Sequence, residues 1–542
     1  MIRLRTSRTR NATAVLPARP GRVPSRGWPG PGGGRAGYLQ PAAEFRATTY
    51  QVCGLWPFAA GTGSPMVGVP VGRSTITGAV VCCDPISWFE RAQLIANPSM
   101  FVVSLPGMGK STIVRRIAMG LSAYGTLPMV LGDLKPDYVD LIRALGGQVA
   151  QLGRGRGHLN PLDRSYALRA AEQLVGKARA EVLADSHGRR LTMICTLIAL
   201  TRHQQPSDRE EMILDRALEI LDDHHAAAST GHQPLPADLL QVLRDAPDAV
   251  RQVALDRGSI DRYLDTTEGL ASSLMSISSG KGRLGTVFSA PTSAQLAMDR
   301  PAVFDLSSLD DGDVDLQAAI LMACWGYGFG NIATAQVLAA ATNAPPRHYF
   351  IVLDELWRAL RSTSGMVDRI DALTRLNRQR GVGQAMVSHT LADLRALASE
   401  SDRAKAFGFM ERAGIKVMGA LPSQEMPQLR EVVAMSRAEQ TMITSWSSPP
   451  SFNAVAGVEG EPPGRGQFLI KVGGRAGIPV RVQLTEAELA LNDTNKLWRT
   501  SRHRHDLRPV DVDALDLNGE VVARRCAVEG VDTDMAPAPD VA

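Results

Sequence analysis

The segment 104–112 has residue types and a spacing suited to holding phosphate groups. It fits the pattern G-x-x-x-x-G-K-[ST], with a serine at the first glycine position. We expect nearly the whole loop to contact a nucleotide, through Ser104, Pro106, Gly107, Met108, Gly109, Lys110, Ser111 and Thr112. A glycine turn before an ordinary helix is the alternative. The spacing, the Lys-Ser-Thr run and the apolar strand that precedes the loop argue against it.

Individual positions in this loop have separate predicted roles. Gly107 and Gly109 let the backbone curl so that successive N–H groups face inward, and the helix N-terminus behind them favours an anion. Lys110 is predicted to reach the β- and γ-phosphates of ATP, and the Ser111 hydroxyl to bind Mg²⁺. At the first position, Ser104 requires a turn that tolerates a Cβ atom.

Hydrolysis also needs acidic groups, and two follow the apolar run 349–353. Five apolar residues in succession are typical of a strand buried on both faces. Asp354 is predicted to hold Mg²⁺ through its water shell, and Glu355 to polarise the attacking water. An acidic pair that only complements a helix dipole is the alternative. The phosphate-binding loop favours the catalytic interpretation, with ATP and Mg²⁺ as the ligands.

A third predicted strand, 384–387, ends at Ser388-His389-Thr390. Either His389 or Ser388 is a candidate sensor of the γ-phosphate, and a polar turn that caps the next helix is the alternative. Just before this run lie three arginines, one of which is a candidate arginine finger for a neighbouring subunit: Arg375, Arg378 and Arg380. The alternative for each arginine is a solvated helix face.

Alternating strands and helices must position these groups. Strands are predicted at 100–104, 128–132, 148–152, 303–306, 349–353 and 384–387, and a closing hairpin at 468–472 and 479–484. Helices are predicted at 111–122, 138–145, 316–326 and 368–380. This alternation predicts an α/β fold with a mostly parallel sheet and helical cover.

Between the first and second sets of strands the apolar residues recur at helical spacing. This pattern predicts an all-α insertion with helices at 167–183, 189–201, 208–223, 237–244 and 267–278. The predicted division of the chain is a disordered basic tail at 1–45, a first core part at 46–163, the insertion at 164–299, a second core part at 300–500 and a loose C-terminal tail at 501–542.

The composition is that of an ordinary globular protein. The chain has 542 residues, is 44% hydrophobic and carries a net charge of +4, which is too small to indicate nucleic-acid or membrane binding by itself. Six cysteines without a CxxC pair argue against a disulfide framework or zinc site and favour a reducing cytosol. No apolar stretch reaches the roughly 20 residues needed to cross a bilayer. The arginine-rich start is either a real basic tail or the product of an over-extended start codon.

Several segments, in the same order along the chain, resemble the conjugation ATPases of type IV secretion systems, within the FtsK–HerA group of motors. They are 95–98, 131–138, 145–147 with 158–163, 352–357, and 468–474 with 485–491. The resemblance spans about 47–500. The chain departs from the family at Asp137, where a Glu is usual, and at Ser388-His389, where a Gln usually follows a Thr. Only about fifty residues precede Tyr50, so the family's large N-terminal domain is not expected.

The resemblance implies a RecA-like P-loop core with an all-α insertion. It implies a motor ATPase that forms a homo-hexamer and works with membrane proteins of a secretion or conjugation apparatus, with DNA as one candidate substrate. The expected location is the cytoplasm, either free or peripheral at the inner face of the cell membrane. A DNA-translocating coupling protein or pump is the first alternative, and a non-motor nucleotide-binding protein the second. A GTPase is rejected because the run 495–498 lacks the Asp of an NKxD motif.

Overall fold

The computed structural model describes residues 65–491, with gaps at 229–232, 281, 283, 311, 363–365, 376–380, 398, 451, 454–457 and 460–461. The predicted tails at 1–45 and 501–542 lie outside the described residues.

Eleven strands form one sheet, in the order β2-β1-β13-β12-β9-β3-β8-β7-β4-β6-β5. Their bounds are β1 Pro70–Ser74, β2 Val80–Cys82, β3 Ser99–Val103, β4 Leu127–Asp133, β5 Gln148–Gln151, β6 Ala302–Asp305, β7 Tyr349–Leu353, β8 Val382–Ser388, β9 Ile415–Met418, β12 Gln467–Lys471 and β13 Ile478–Val482. Two short strands, β10 Phe452–Asn453 and β11 Val458–Glu459, pair with each other.

The seven strands from β9 to β5 run parallel, and the four at the other edge pair antiparallel. The predicted α/β class with a mostly parallel sheet is therefore confirmed. The predicted hairpin is also present, as β12 and β13. It extends the sheet because β12 pairs with β9.

Helices cover both faces of the sheet. Their bounds are α1 Pro85–Glu90, α2 Lys110–Ala123, α3 Val139–Ala144, α4 Ser165–Glu172, α5 Gly176–Arg202, α6 Asp208–Ala228, α7 Pro236–Asp245, α8 Asp248–Val253, α9 Ile260–Ser278, α10 Gly285–Phe288, α11 Val314–Ala341, α12 Leu356–Arg361, α13 Met366–Arg375, α14 Leu391–Arg395, α15 Glu400–Arg412, α16 Met426–Val432, α17 Arg437–Trp446 and α18 Glu486–Leu491. One apolar core lies on the side of α2 and α3, and a larger one on the side of α11. No helix of the described residues is long and apolar enough to cross a membrane.

The described elements between β5 and β6 are all helices, α4 to α10. They share the larger core with one face of the sheet, and α11 packs against both α5 and β4. This position explains why α11 is apolar on every side, since it is buried between the sheet and the helical segment. The domain boundaries proposed from the sequence stay a prediction.

Several elements differ from the sequence-based expectations, among them two predicted helices and one strand. The predicted helix 167–183 is two helices, because the chain turns at the exposed Val175 and at Gly176, which has a φ of 58°. The predicted helix 316–326 continues to Ala341, since small residues beyond 326 still pack closely. Strand β9 was not predicted. Its four residues include Lys416, and their pairing with β3 on one side and β12 on the other identifies them as a strand.

Candidate active site

The candidate site lies at the carboxyl ends of four adjacent strands, β3, β8, β7 and β4. Because the four strands are parallel, the residues that follow each of them meet at one edge of the sheet. The phosphate-binding loop follows β3, the acidic pair follows β7, and Ser388-His389 ends and follows β8. The structure thus brings together three segments that are far apart in sequence.

The loop after β3 has the curled backbone expected of a phosphate-binding loop. Gly107 and Gly109 have φ angles of 77° and 97°, in the left-handed region that favours glycine, and α2 starts directly after Gly109. Ser104 does not have a positive φ. Its hydroxyl donates to the carbonyl oxygen of Ala420 at 3.4 Å. A Cβ atom is therefore tolerated at this position.

Lys110 is folded back into the loop that precedes it. Its Nζ donates to the carbonyl oxygens of Ser104 at 2.9 Å and Leu105 at 3.3 Å. Burial lowers its pKa to about 8, against the opposing influence of Asp354 and Glu355. A phosphate oxygen is a charged and therefore stronger acceptor than either carbonyl, so these contacts are ones that a nucleotide can replace.

The predicted magnesium ligands sit in a network of carboxylates. Ser111 Oγ donates to Asp137 Oδ2 at 2.7 Å, and the Tyr138 hydroxyl donates to Asp354 Oδ2 at 2.9 Å. Burial, together with the negative charge of Glu355, raises the pKa of Asp354 to about 6. The backbone N–H of Glu355 also donates to Asp354 Oδ1, at 2.8 Å.

Glu355 is held by several donors. Its backbone has a φ of 53°, and its carboxylate is largely buried. Lys135 Nζ lies 3.1 Å from Oε1, and Trp357 Nε1 donates to Oε2 at 2.6 Å. His389 Nε2 lies 3.1 Å from Oε2. Burial alone would raise the pKa of Glu355, but His389 and Lys135 outweigh it and hold the pKa at about 2.

Ser388 and His389 do not cap the next helix, because Thr390 does so. Ser388 pairs in register with Val103, the last residue of β3, and its Oγ is buried without a hydrogen-bond partner among the described residues. His389 lies beside Glu355 and Trp357. Their role as γ-phosphate sensors stays a prediction.

The side chains of the arginine-finger candidates lie outside the described residues. Arg375 is the last residue of α13, and its side chain lies outside the described part of the structure, as do Arg378 and Arg380 entirely. Their role stays a prediction.

Sequence reasoning assigned no role to three residues of the site: Lys135, Tyr138 and Trp357. All three are in direct contact with the predicted acidic pair. The available signal was their position, since each follows within a few residues of a buried strand, β4 or β7, that ends at the site.

The residues present suit a magnesium ion that is held mainly by a nucleotide. The described residues contain no group of three or more His, Cys, Asp or Glu side chains able to hold a metal by themselves. Mg²⁺ is commonly bound by one or two carboxylates together with substrate phosphates and water. The Ser111 hydroxyl and the Asp354 carboxylate fit that role, and they form hydrogen bonds to the consecutive residues Asp137 and Tyr138, respectively.

Comparison with solved structures identifies the architecture. The structure of VirB4 of Thermoanaerobacter pseudethanolicus superposes with a TM-score of 0.58 at 16% sequence identity, over 80% of this chain and 100% of that one. The chain therefore shares the fold of that structure, with a mostly parallel sheet covered by helices. Plasmid coupling protein TrwB in complex with a non-hydrolysable ATP analogue gives a TM-score of 0.46 at 12% identity, over 83% of this chain and 97% of that one. That similarity is too distant to support an argument. No protein-family model and no curated protein matches the sequence.

Proposed function

We propose that the chain is an ATPase that hydrolyses ATP to ADP and phosphate with Mg²⁺, and that it is a motor of a type IV secretion or conjugation system. The observation that carries the ATPase assignment is the meeting of Lys110 with Asp354 and Glu355 at one edge of the sheet. A phosphate-binding loop and a buried acidic pair, on strands that are separated by one strand in the same sheet, are the parts that nucleotide hydrolysis requires.

Each side chain has one task in this mechanism. Lys110 exchanges its carbonyl partners for phosphate oxygens, and its positive charge stabilises the charge that develops on them. Ser111 and Asp354 would hold a magnesium ion, whose charge would offset the negative charge of the phosphates. Glu355 accepts a hydrogen bond from the attacking water and orients it.

The contacts around Glu355 determine how it acts. Lys135, Trp357 and His389 fix the position of its carboxylate, and Lys135 and His389 lower its pKa so that it is a weak base. A weak base orients water more readily than it removes a proton. The main contribution of Glu355 in this arrangement is therefore positioning of the water.

The motor assignment draws on the ordered sequence segments that resemble conjugation ATPases and on the VirB4-like fold. It includes a homo-hexameric ring in which an arginine of the next subunit completes each site. It also includes partner membrane proteins of the transfer apparatus, a location in the cytoplasm or at the inner face of the membrane, and DNA or protein as the transported substrate.

Hydrolysis by matched variants tests the ATPase assignment. Lys110→Ala is expected to abolish nucleotide binding. Glu355→Gln is expected to slow the catalytic rate by roughly 100-fold while ATP still binds, because the attacking water is no longer held in position. Lys177→Ala and Glu181→Gln, which change exposed residues of α5, serve as controls. Wild-type rates in both Lys110→Ala and Glu355→Gln would refute the assignment.

Two further measurements test the motor assignment. Native mass spectrometry with ATP and Mg²⁺ is expected to show a hexamer, and a monomer under all nucleotide conditions contradicts a ring. Stimulation of hydrolysis by double-stranded DNA would favour a DNA pump over an ATPase of apparatus assembly or protein transfer.

A further inference from the structure

Strand order determines the direction in which a nucleotide lies in the loop. The acidic pair Asp354–Glu355 follows β7, which is two strands from β3 on one side. The γ-phosphate end therefore points towards β7. The nucleoside end must leave the loop on the other side of β3, over β9 and β12.

One segment lies at that place, the turn Pro462–Gly466 that leads into β12. Because β12 is antiparallel to β9, its first residue lies at the same edge of the sheet as the carboxyl ends of the parallel strands. The backbone N–H of Gly466 donates to the carbonyl oxygen of Met108 at 3.0 Å. A Cβ atom on Gly109 would lie 3.6 Å from Gly466 N. The turn is thus in direct contact with the phosphate-binding loop.

The turn is also fixed from its other sides. Gly464 is packed so tightly that a Cβ atom there would collide with the carbonyl group of Trp446. The backbone N–H of Val482, at the end of β13, donates to the Gly466 carbonyl at 2.9 Å. The N–H of Arg465 closes the turn by donating to the Pro462 carbonyl at 3.0 Å. A turn with these restraints can present a side chain in a constant position.

We propose that the Pro462–Gly466 turn is the nucleoside-contacting part of the ATP site and that the guanidinium of Arg465 stacks on the base. Arg465 is exposed and lies next to the residue that contacts the loop. A guanidinium is planar and weakly hydrated, and it stacks on aromatic rings. Stacking does not distinguish among bases, so Arg465 adds affinity without base specificity. This inference rests on the proposed function, since it takes a nucleotide to be the ligand.

Arg475 offers a matched control. It is an exposed arginine of the same hairpin, located in the turn between β12 and β13. The five-residue strand β12, about 17 Å long, separates it from the phosphate-binding loop. Substitution of Arg475 removes the same charge from the same hairpin and leaves the nucleotide side unchanged.

Calorimetric binding measurements with the full chain test the proposal, using ATP, GTP and inorganic tripolyphosphate in the presence of Mg²⁺. Arg465→Ala is expected to weaken binding of ATP and GTP by a similar factor, roughly fivefold, and to leave tripolyphosphate binding unchanged. Arg465→Lys, which keeps the charge but loses the planar group, is expected to behave like Arg465→Ala. Arg475→Ala is expected to bind all three ligands like the wild type.

The outcomes separate this proposal from the proposed function. If the wild type and Arg475→Ala bind ATP and Arg465→Ala binds it equally well, the nucleoside contact is overturned and the ATPase assignment stands. An equal loss for tripolyphosphate, or full recovery in Arg465→Lys, also overturns the stacking contact, because either result indicates a contact with phosphate. If the wild type binds no nucleotide, both proposals fail together.

Discussion

The buried ion pair between Lys471 and Glu439 gives a quantitative prediction about how the hairpin is attached to the core. Lys471 is 2% exposed, and its Nζ donates to both carboxylate oxygens of Glu439, at 2.8 and 3.0 Å. Glu439 also accepts from the backbone N–H groups of Ser436 at 2.7 Å and Gly477 at 2.6 Å. One carboxylate thus joins α17, β12 and the turn before β13.

Substitution Lys471→Met leaves a buried carboxylate with only its two backbone donors. Removing one partner of a buried ion pair costs about 3–5 kcal/mol, because the remaining charge is uncompensated. The entropy of unfolding is about 2.1 cal/mol/K per residue. For about 430 residues that unfold together, the total entropy of unfolding is therefore roughly 0.9 kcal/mol/K. The expected decrease in the midpoint temperature of thermal unfolding is therefore about 3–6 °C.

The double variant Lys471→Met/Glu439→Met is the control, because it replaces both charges by apolar groups. It is expected to unfold at a higher temperature than Lys471→Met alone, since no buried charge remains unpaired. Calorimetry at pH 7 measures all three proteins. A midpoint for Lys471→Met within 1 °C of the wild type, or a double variant less stable than Lys471→Met, would refute the reasoning.

The same pair makes stability depend on pH. Burial raises the pKa of Glu439, but Lys471 and the two backbone donors outweigh it, so the pKa in the folded state is lowered. The stabilisation is therefore present above the ordinary pKa of glutamate and is lost as the pH falls through the folded-state value. The double variant is expected to lose less stability on acidification than the wild type.

Three further predictions concern the site itself. Lys110 has a pKa of about 8 without nucleotide, so nucleotide affinity should fall as the pH rises above 8. In Lys110→Arg this pH dependence should be absent. The same pH profile of nucleotide affinity in the wild type and in Lys110→Arg would contradict the prediction. Tyr138→Phe removes the hydroxyl that donates to Asp354 and should therefore raise the pKa of Asp354 above about 6. The pH midpoint of Mg²⁺-dependent nucleotide binding should then shift to higher pH. An unchanged midpoint argues against the contact. Glu425 accepts hydrogen bonds from two backbone N–H groups at the start of α14, just after His389, and so helps to position His389. Glu425→Gln should therefore lower kcat and leave KM unchanged. A wild-type kcat in this variant excludes the positioning role.

The sequence predicted the parts of the site that depend on local spacing. A few consecutive residues specify each of these parts. They are the glycines and the Lys-Ser-Thr run of the loop, and the five apolar residues before the acidic pair. The alternation of strands and helices also predicted the parallel sheet. Strands and helices can be told apart in the sequence because side chains on one face recur about every two residues in a strand and about every 3.6 residues in a helix. Strand β9 was not predictable in this way, since its four residues take their strand conformation from pairing with β3.

By itself, the sequence predicted which residues would bind phosphate and which would supply the carboxylates of the site. Only the tertiary structure decided the partner of each group. Lys135 and Glu355 are separated by 220 positions in the chain, and Tyr138 and Asp354 by 216, yet each pair is in hydrogen-bond contact. The physical reason is the order of strands in the sheet, which places β4 beside β7. Residues that follow these two strands are therefore close in space, although they are far apart in the sequence.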